Sequence, residues 1–337
     1  MSTCAENTEV FDFDIVIARG SLRVTEDREI IGRADSRYAP LRDAATVVFE
    51  HLRRSNHAQM RMHSLLFRMF LEHPPAKAAF KVKWGNDVGP EPSLVKEYLA
   101  KHLPTLVLAS PTDLDAELTK KQLAWGLVLK EDSELGNANE IFLPKDLADL
   151  IVSRKGASPV AEMQRLVWSV SLEHEIMHAL TDYAFPHIST PLLEGVGLDR
   201  NNGEAGHAFE LLHLGFIIEV EIPKKEVKTP HRMQHMTRIL GRTKFKTFEI
   251  DETTVDLLLS SLESDRIHDV DVAVQEKYVN QRHQSFGRFR VGGYSTDEAE
   301  DDGAAEREAD GLGLGLGIEM PPIQSLQIGE EEEDVGQ

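Results

Sequence analysis

The chain has 337 residues, 41% of them hydrophobic, and a formal charge of −20. That length buries a substantial core and holds one large domain or two. Fourteen acidic residues against one arginine between Asp297 and Gln337 leave about −13 in that segment and about −7 elsewhere, so the acidity belongs to a tail and argues against non-specific nucleic-acid binding.

Cys4 is the only cysteine, which excludes an internal disulfide and a Cys-rich zinc finger. The first residues lack a basic start and an apolar core, so no secretory signal is expected. No run reaches the roughly 18 apolar residues of a membrane helix. These features predict an intracellular protein, cytoplasmic or nuclear, that needs neither membrane nor nucleic acid as partner.

In chain order, residues 11–18 alternate and then turn apolar, as a strand does. Residues 40–54 and 58–72 read as two amphipathic helices, the second ended by Pro74-Pro75. Their arginines, Arg53, Arg54, Arg61 and Arg68, are expected on solvated faces. Residues 80–84 alternate like a short strand, Ser93 is a candidate cap for a helix through Leu103, and residues 105–109 predict another strand. Two apolar runs, 123–129 and 140–143, flank a polar segment and suggest a long hairpin. Pro144 opens a short helix over 145–152.

Ser158-Pro159 is a helix start, with Ser as cap and Pro at the first position. The helix is predicted to run from Val160 to about Ala184. Met163, Leu166, Val167, Val170, Ile176, Met177 and Leu180 make it apolar over much of its circumference, which marks a buried helix. A loop rich in Gly and Pro follows. Residues 204–213 predict a second helix, capped by Asn202 or Gly203 and ended by Gly215, and residues 216–222 a strand. Residues 223–250 show no clear pattern. Helices are expected over 253–262 and 270–281. Past Gly293, acidic residues and a Gly-Leu repeat give the composition of a disordered tail.

The buried helix carries His174-Glu175-Ile176-Met177-His178. Two histidines four residues apart project from one helical face, where their ring nitrogens can share a metal ion. Glu175 is placed to act on a water at that ion. Zinc needs a third protein ligand and an open position. The metzincin pattern would require Gly at 181 and His at 184, where this chain has Thr181 and Ala184. The helix at 204–213 offers Glu204, His207 and Glu210 instead, and the loop offers Glu194.

His174-Glu-x-x-His178 followed by Gly203-Glu204-Ala-Gly-His-Ala-Phe-Glu210 resembles the glutamate zincins. Its second helix is similar to that of Taq-family carboxypeptidases and oligopeptidases, and to uncharacterised fungal proteins with a Gly-Glu-Ser-Gly helix after His-Glu-x-x-His. Gly203 stands where those carboxypeptidases often have His, and Ala205-Gly206 where they have Ser-Gln. The resemblance covers residues 168–215. It implies an α+β, zincin-like fold: a mixed sheet packed on a central metal-binding helix, a mainly helical C-terminal part and a disordered acidic tail. The expected divisions are 1–156, with a substrate-edge strand at 124–129, then 157–293 and 294–337.

The resemblance further implies a Zn²⁺ metallopeptidase acting on a peptide or protein substrate. Glu175 is the general base and His174, His178 and Glu204 are the metal ligands. Glu210 is the alternative third ligand, or else the carboxylate that steadies a histidine. Tyr278, Tyr294, His231 and His235 are candidates for the donor that stabilises an oxyanion. The competing expectation is a catalytically inactive zincin-like interaction protein with structural zinc. Glu175 favours the enzyme, because a structural site has no need of it.

Overall fold

The computed structural model describes residues 13–22, 25–117, 126–128, 139–153, 158–188, 193, 204–243, 247–264 and, for the backbone alone, 286–290. Residues Met1–Asp297 form one compact unit and Glu298–Gln337 a second. The expected boundary at 156/157 therefore falls inside the first unit, which is a single mixed α+β body. The second unit, like the expected helix at 270–281, lies outside the described residues.

The first unit begins with β1 (Ile15–Ile17) and β2 (Glu29–Ile31). Helix α1 (Ala39–Arg54) leads directly into α2 (Asn56–Glu72). Ser55 makes the junction: its N–H donates to His51 O at 2.8 Å, and its Oγ accepts from Ala58 N at 3.2 Å. One residue thus ends one helix and caps the next. The arginines of these helices behave as solvated groups, Arg54 pairing with Glu50 and Arg68 with Glu72 one turn away.

The expected strand at 80–84 is instead the last part of α3 (Pro74–Trp84). Pro74 and Pro75 occupy the first helical positions, where a missing N–H costs nothing. His73 supplies the cap, its Nδ1 accepting from Ala76 N at 3.3 Å. The true period is Ala76, Phe80, Trp84, whereas Val82 is 87% exposed. Helix α4 (Pro92–Lys101) starts one residue before Ser93 and ends two before Leu103; Ser93 Oγ donates to Glu91 rather than capping.

Next come β3 (Thr105–Ala109), α5 (Pro111–Ala116), β4 (Glu140–Pro144) and α6 (Lys145–Val152). The first sheet has the order β2-β1-β3-β4, with β1, β3 and β4 parallel and β2 antiparallel. Its three parallel strands are largely apolar on both sides, as a covered parallel sheet requires. Leu106, Leu108, Ile141 and Leu143 face the main core. Val107, Ala109 and Phe142 face a smaller cluster with Leu114 of α5.

Helix α7 (Pro159–Ala184) spans 26 residues, about 39 Å. Ser158 caps it through Ala161 N at 3.2 Å. Its apolar circumference is explained by its neighbours: α1, α2, α4, α6 and β4 all pack against it. So do α8 (Ala205–His213) and α9 (Glu252–Ser264).

The described C-terminal part combines helices with strands. It contains a second, antiparallel sheet of order β7-β6-β5-β8, made of β5 (Ile217–Pro223), β6 (Arg238–Arg242), β7 (Thr247–Glu249) and β8 (Phe286–Arg290). Buried Glu219 and Glu221 on β5 pair with Arg242 and Arg238 across the ladder. Those charges hide β6 from a hydropathy reading. Among the described residues, no helix is long and apolar enough to cross a membrane.

Candidate metal centre

Helices α7 and α8 pack side by side and bring His174, His178 and Glu204 together. The two histidine Nε2 atoms are 3.2 Å apart. Glu204 Oε1 lies 3.1 Å from His174 Nε2, and Oε2 touches His178 Nε2. Glu204 is itself the N-cap of α8, in place of Asn202 or Gly203: its Oε1 accepts from His207 N at 2.9 Å. Capping fixes the carboxylate at the positive end of the helix and turns it toward the histidines.

Glu210, two turns into α8, reaches the other side of the His174 ring. Its Oε1 lies 2.7 Å from His174 Nδ1, and its Oε2 accepts from Ile218 N at 3.0 Å, at the start of β5. With Nδ1–H donating to Glu210, the lone pair of His174 stays on Nε2. Glu210 therefore meets His174 at the ring nitrogen that Glu204 does not, and with His174 and His207 it forms a second, fully buried group of potential donors. His207 Nδ1 lies 2.8 Å from Glu204 Oε1. The structure thus brings Glu204 within reach of both histidines, with His207 behind it.

These donors fit a zinc ion. Bonds of about 2.0–2.1 Å in tetrahedral geometry separate ligand atoms by about 3.3 Å, close to the His174–His178 separation. The approach of α8 is also cut to fit. A Cβ on Gly206 would lie 2.3 Å from His174 Nε2, so only glycine lets the helix backbone come this near. His174 is fully buried, whereas His178 and Glu204 keep 17% and 14% of their side chains exposed.

Glu175 is almost fully buried. Burial pushes its carboxyl up to about 7, against the opposing pull of the His174 and His178 imidazoles. For His174, burial lowers proton affinity, but the carboxylates of Glu204 and Glu210 outweigh it and hold the imidazole well above its ordinary value. For Glu204, burial raises the pKa, but His174, His178 and His207 outweigh it and hold the carboxyl well below the usual range. The site is a dense cluster of buried, mutually interacting titratable groups.

Beside Glu175 runs Gly126-Leu127-Val128. Leu127 forms an antiparallel bridge with Phe142 of β4, with N–H to O distances of 3.0 and 2.8 Å. This short extended piece lies outside β4, at the sheet edge. A Cβ on Gly126 would lie 2.4 Å from Glu175 Oε1. The edge backbone therefore presses directly on the expected general base. Ala124, Trp125 and Leu129 of the expected edge strand lie outside the described residues.

Tyr278, Tyr294 and Glu194 lie outside the described residues. His235 pairs with Glu226 at 3.4 Å. His231 sits on the β5–β6 connection, near Asp146. No described contact joins His231 or His235 to His174, His178 or Glu204.

Sequence reasoning missed Gly206 and Gly126, whose roles exist only in tertiary contact. No family model, curated protein or solved structure matches the chain. The functional reading therefore stands on the site itself.

Proposed function

We propose that the protein is a zinc-dependent hydrolase with a zincin-like fold, acting on a peptide bond. The observation that carries this reading is the convergence of His174 Nε2, His178 Nε2 and Glu204 beside a buried Glu175. A zinc ion held by His174, His178 and Glu204 would supply an acidified water and polarise the substrate carbonyl.

The chain's own groups divide the remaining work. Glu210 donates no proton in the reaction; it holds the His174 ring in one tautomer and orientation. Glu204 carries the negative charge that offsets the cation and stays fixed by its cap bond to His207 N. Glu175 takes the proton of the attacking water and delivers it to the departing amine nitrogen. Its proton affinity, pushed up to about 7 by burial, suits a group that must both accept and return a proton near neutrality. The edge at Gly126-Leu127-Val128 offers backbone groups with which an extended peptide can pair, next to Glu175.

The test is a metal count paired with an activity assay. Glu175→Gln is expected to keep one catalytic zinc while losing at least about 100-fold in rate. Loss of zinc with that change contradicts the role given to Glu175.

A further inference from the structure

A second buried cluster lies at the junction of α1, α7 and α8. It consists of His51, Glu173 and His213, which are 2%, 1% and 4% exposed. One ligand atom from each lies within 4.8 Å of the others. His51 Nε2 and His213 Nε2 face each other at 3.0 Å. Glu173 Oε1 has no hydrogen-bond partner.

We propose that His51, Glu173 and His213 bind a second divalent transition-metal ion, zinc in the first instance, with a structural role. Imidazole and carboxylate donors suit such an ion. The near-contact of two Nε2 atoms repeats the 3.2 Å spacing of His174 and His178, and both match the edge of a tetrahedral site. An ion between them replaces their mutual Nε2 contact with two metal bonds and pairs the carboxylate of Glu173. Without it, a buried carboxylate oxygen goes unsolvated and unbonded, which proteins rarely tolerate.

The site is separate from the first and shares no residue with it. Glu173 and His174 are neighbours in sequence but point about 100° apart around α7. On α8, Glu210 serves His174 while His213, three residues on, serves His51. The helix pair therefore carries two sites about one turn apart. Complete burial of all three donors leaves no room for a substrate, and three separate helices converge on the ion. Both facts assign it to holding α1 against the α7–α8 pair.

Elemental analysis of the purified full-length protein tests this, combined with melting curves with and without a chelator. Wild type is expected to hold two zinc ions per chain. His178→Ala and His213→Ala are each expected to hold one. Glu173→Gln, which keeps the side-chain shape if His213→Ala fails to fold, is also expected to lose one equivalent. In His178→Ala, where only the buried site remains, chelation is expected to lower the melting midpoint. In the double variant carrying Glu173→Gln it is expected to have no effect.

If His213→Ala and Glu173→Gln both keep the wild-type metal count, the cluster is a hydrogen-bonded one and the proposal is overturned. The same holds if wild type has a single ion that His178→Ala loses. A single ion kept by His178→Ala and lost by Glu173→Gln supports the buried site and overturns the proposed catalytic one.

Discussion

Two glycines show how closely the site is fitted. Gly206 brings α8 against His174, and Gly126 brings the sheet edge against Glu175. Gly206→Ala must push the imidazole or the helix aside. Zinc affinity is expected to fall on the order of 10–100-fold or more, read by competition with a fluorescent chelator. Gly126→Ala displaces Glu175 instead. It is expected to reduce the rate by about 100-fold with zinc content unchanged, a split that metal analysis and kinetics on one sample resolve. Glu204→Ala is expected to lower metal content more than Glu210→Ala does, and the reverse order would reassign the third ligand.

At this scale the motif residues were legible in the sequence because their relations are local. His174 and His178 are one helical turn apart on a segment with clear start signals. Glu204 and Glu210 share a second helix. His51 and His213 were not legible, because 162 residues separate them and only a tertiary contact between their rings joins them.

At the scale of elements, Glu204 does two things at once. It caps α8 and supplies the carboxylate that meets both histidines. Glu204→Ala should therefore cost about 1 kcal/mol of stability through the lost cap, even when no metal is present. Glu204→Gln keeps a cap acceptor and removes the charge, so it separates the two effects.

A second junction ties α6 to the β5–β6 connection. Asp146 Oδ2 accepts from buried Met233 N at 2.9 Å, and fully buried Arg232 pairs with Asp115 at 2.8 Å. Asp146→Ala leaves the Met233 N–H unpaired in the interior. About 2 kcal/mol of destabilisation is expected, measured by urea unfolding.

The errors of element reading share a cause. Phe80-x-Val82-x-Trp84 alternates on paper, yet two prolines and the His73 cap commit the segment to helix. β6 hides because Arg238 and Arg242 flank only three apolar or small residues, and its partners Glu221 and Glu219 neutralise those charges. Interactions between segments decided these cases, and a window of sequence does not contain them.

For the molecule as a whole, α7 is the organising element. Seven other helices or strands of the N-terminal and C-terminal parts pack around it, within one compact unit. Its burial was readable from apolar residues on every face. The second sheet was not. Strands β3 and β4 pack against α6, β4 also packs against α7, and the edge segment at Gly126 and Leu127 meets α7 at Glu175. Fold and site thus support each other: the sheet edge that would bind a peptide ends beside the group that would activate water.

Cleavage of a mixed peptide library, with zinc measured in the same samples, tests the central claim most directly. The zinc-loaded wild type is expected to cut peptides, to stop when the metal is chelated and to recover when zinc is returned. Glu175→Gln is expected to hold its zinc and cut nothing. Wild type that carries full zinc and cleaves no peptide, or Glu175→Gln that cleaves at the wild-type rate, would contradict the account.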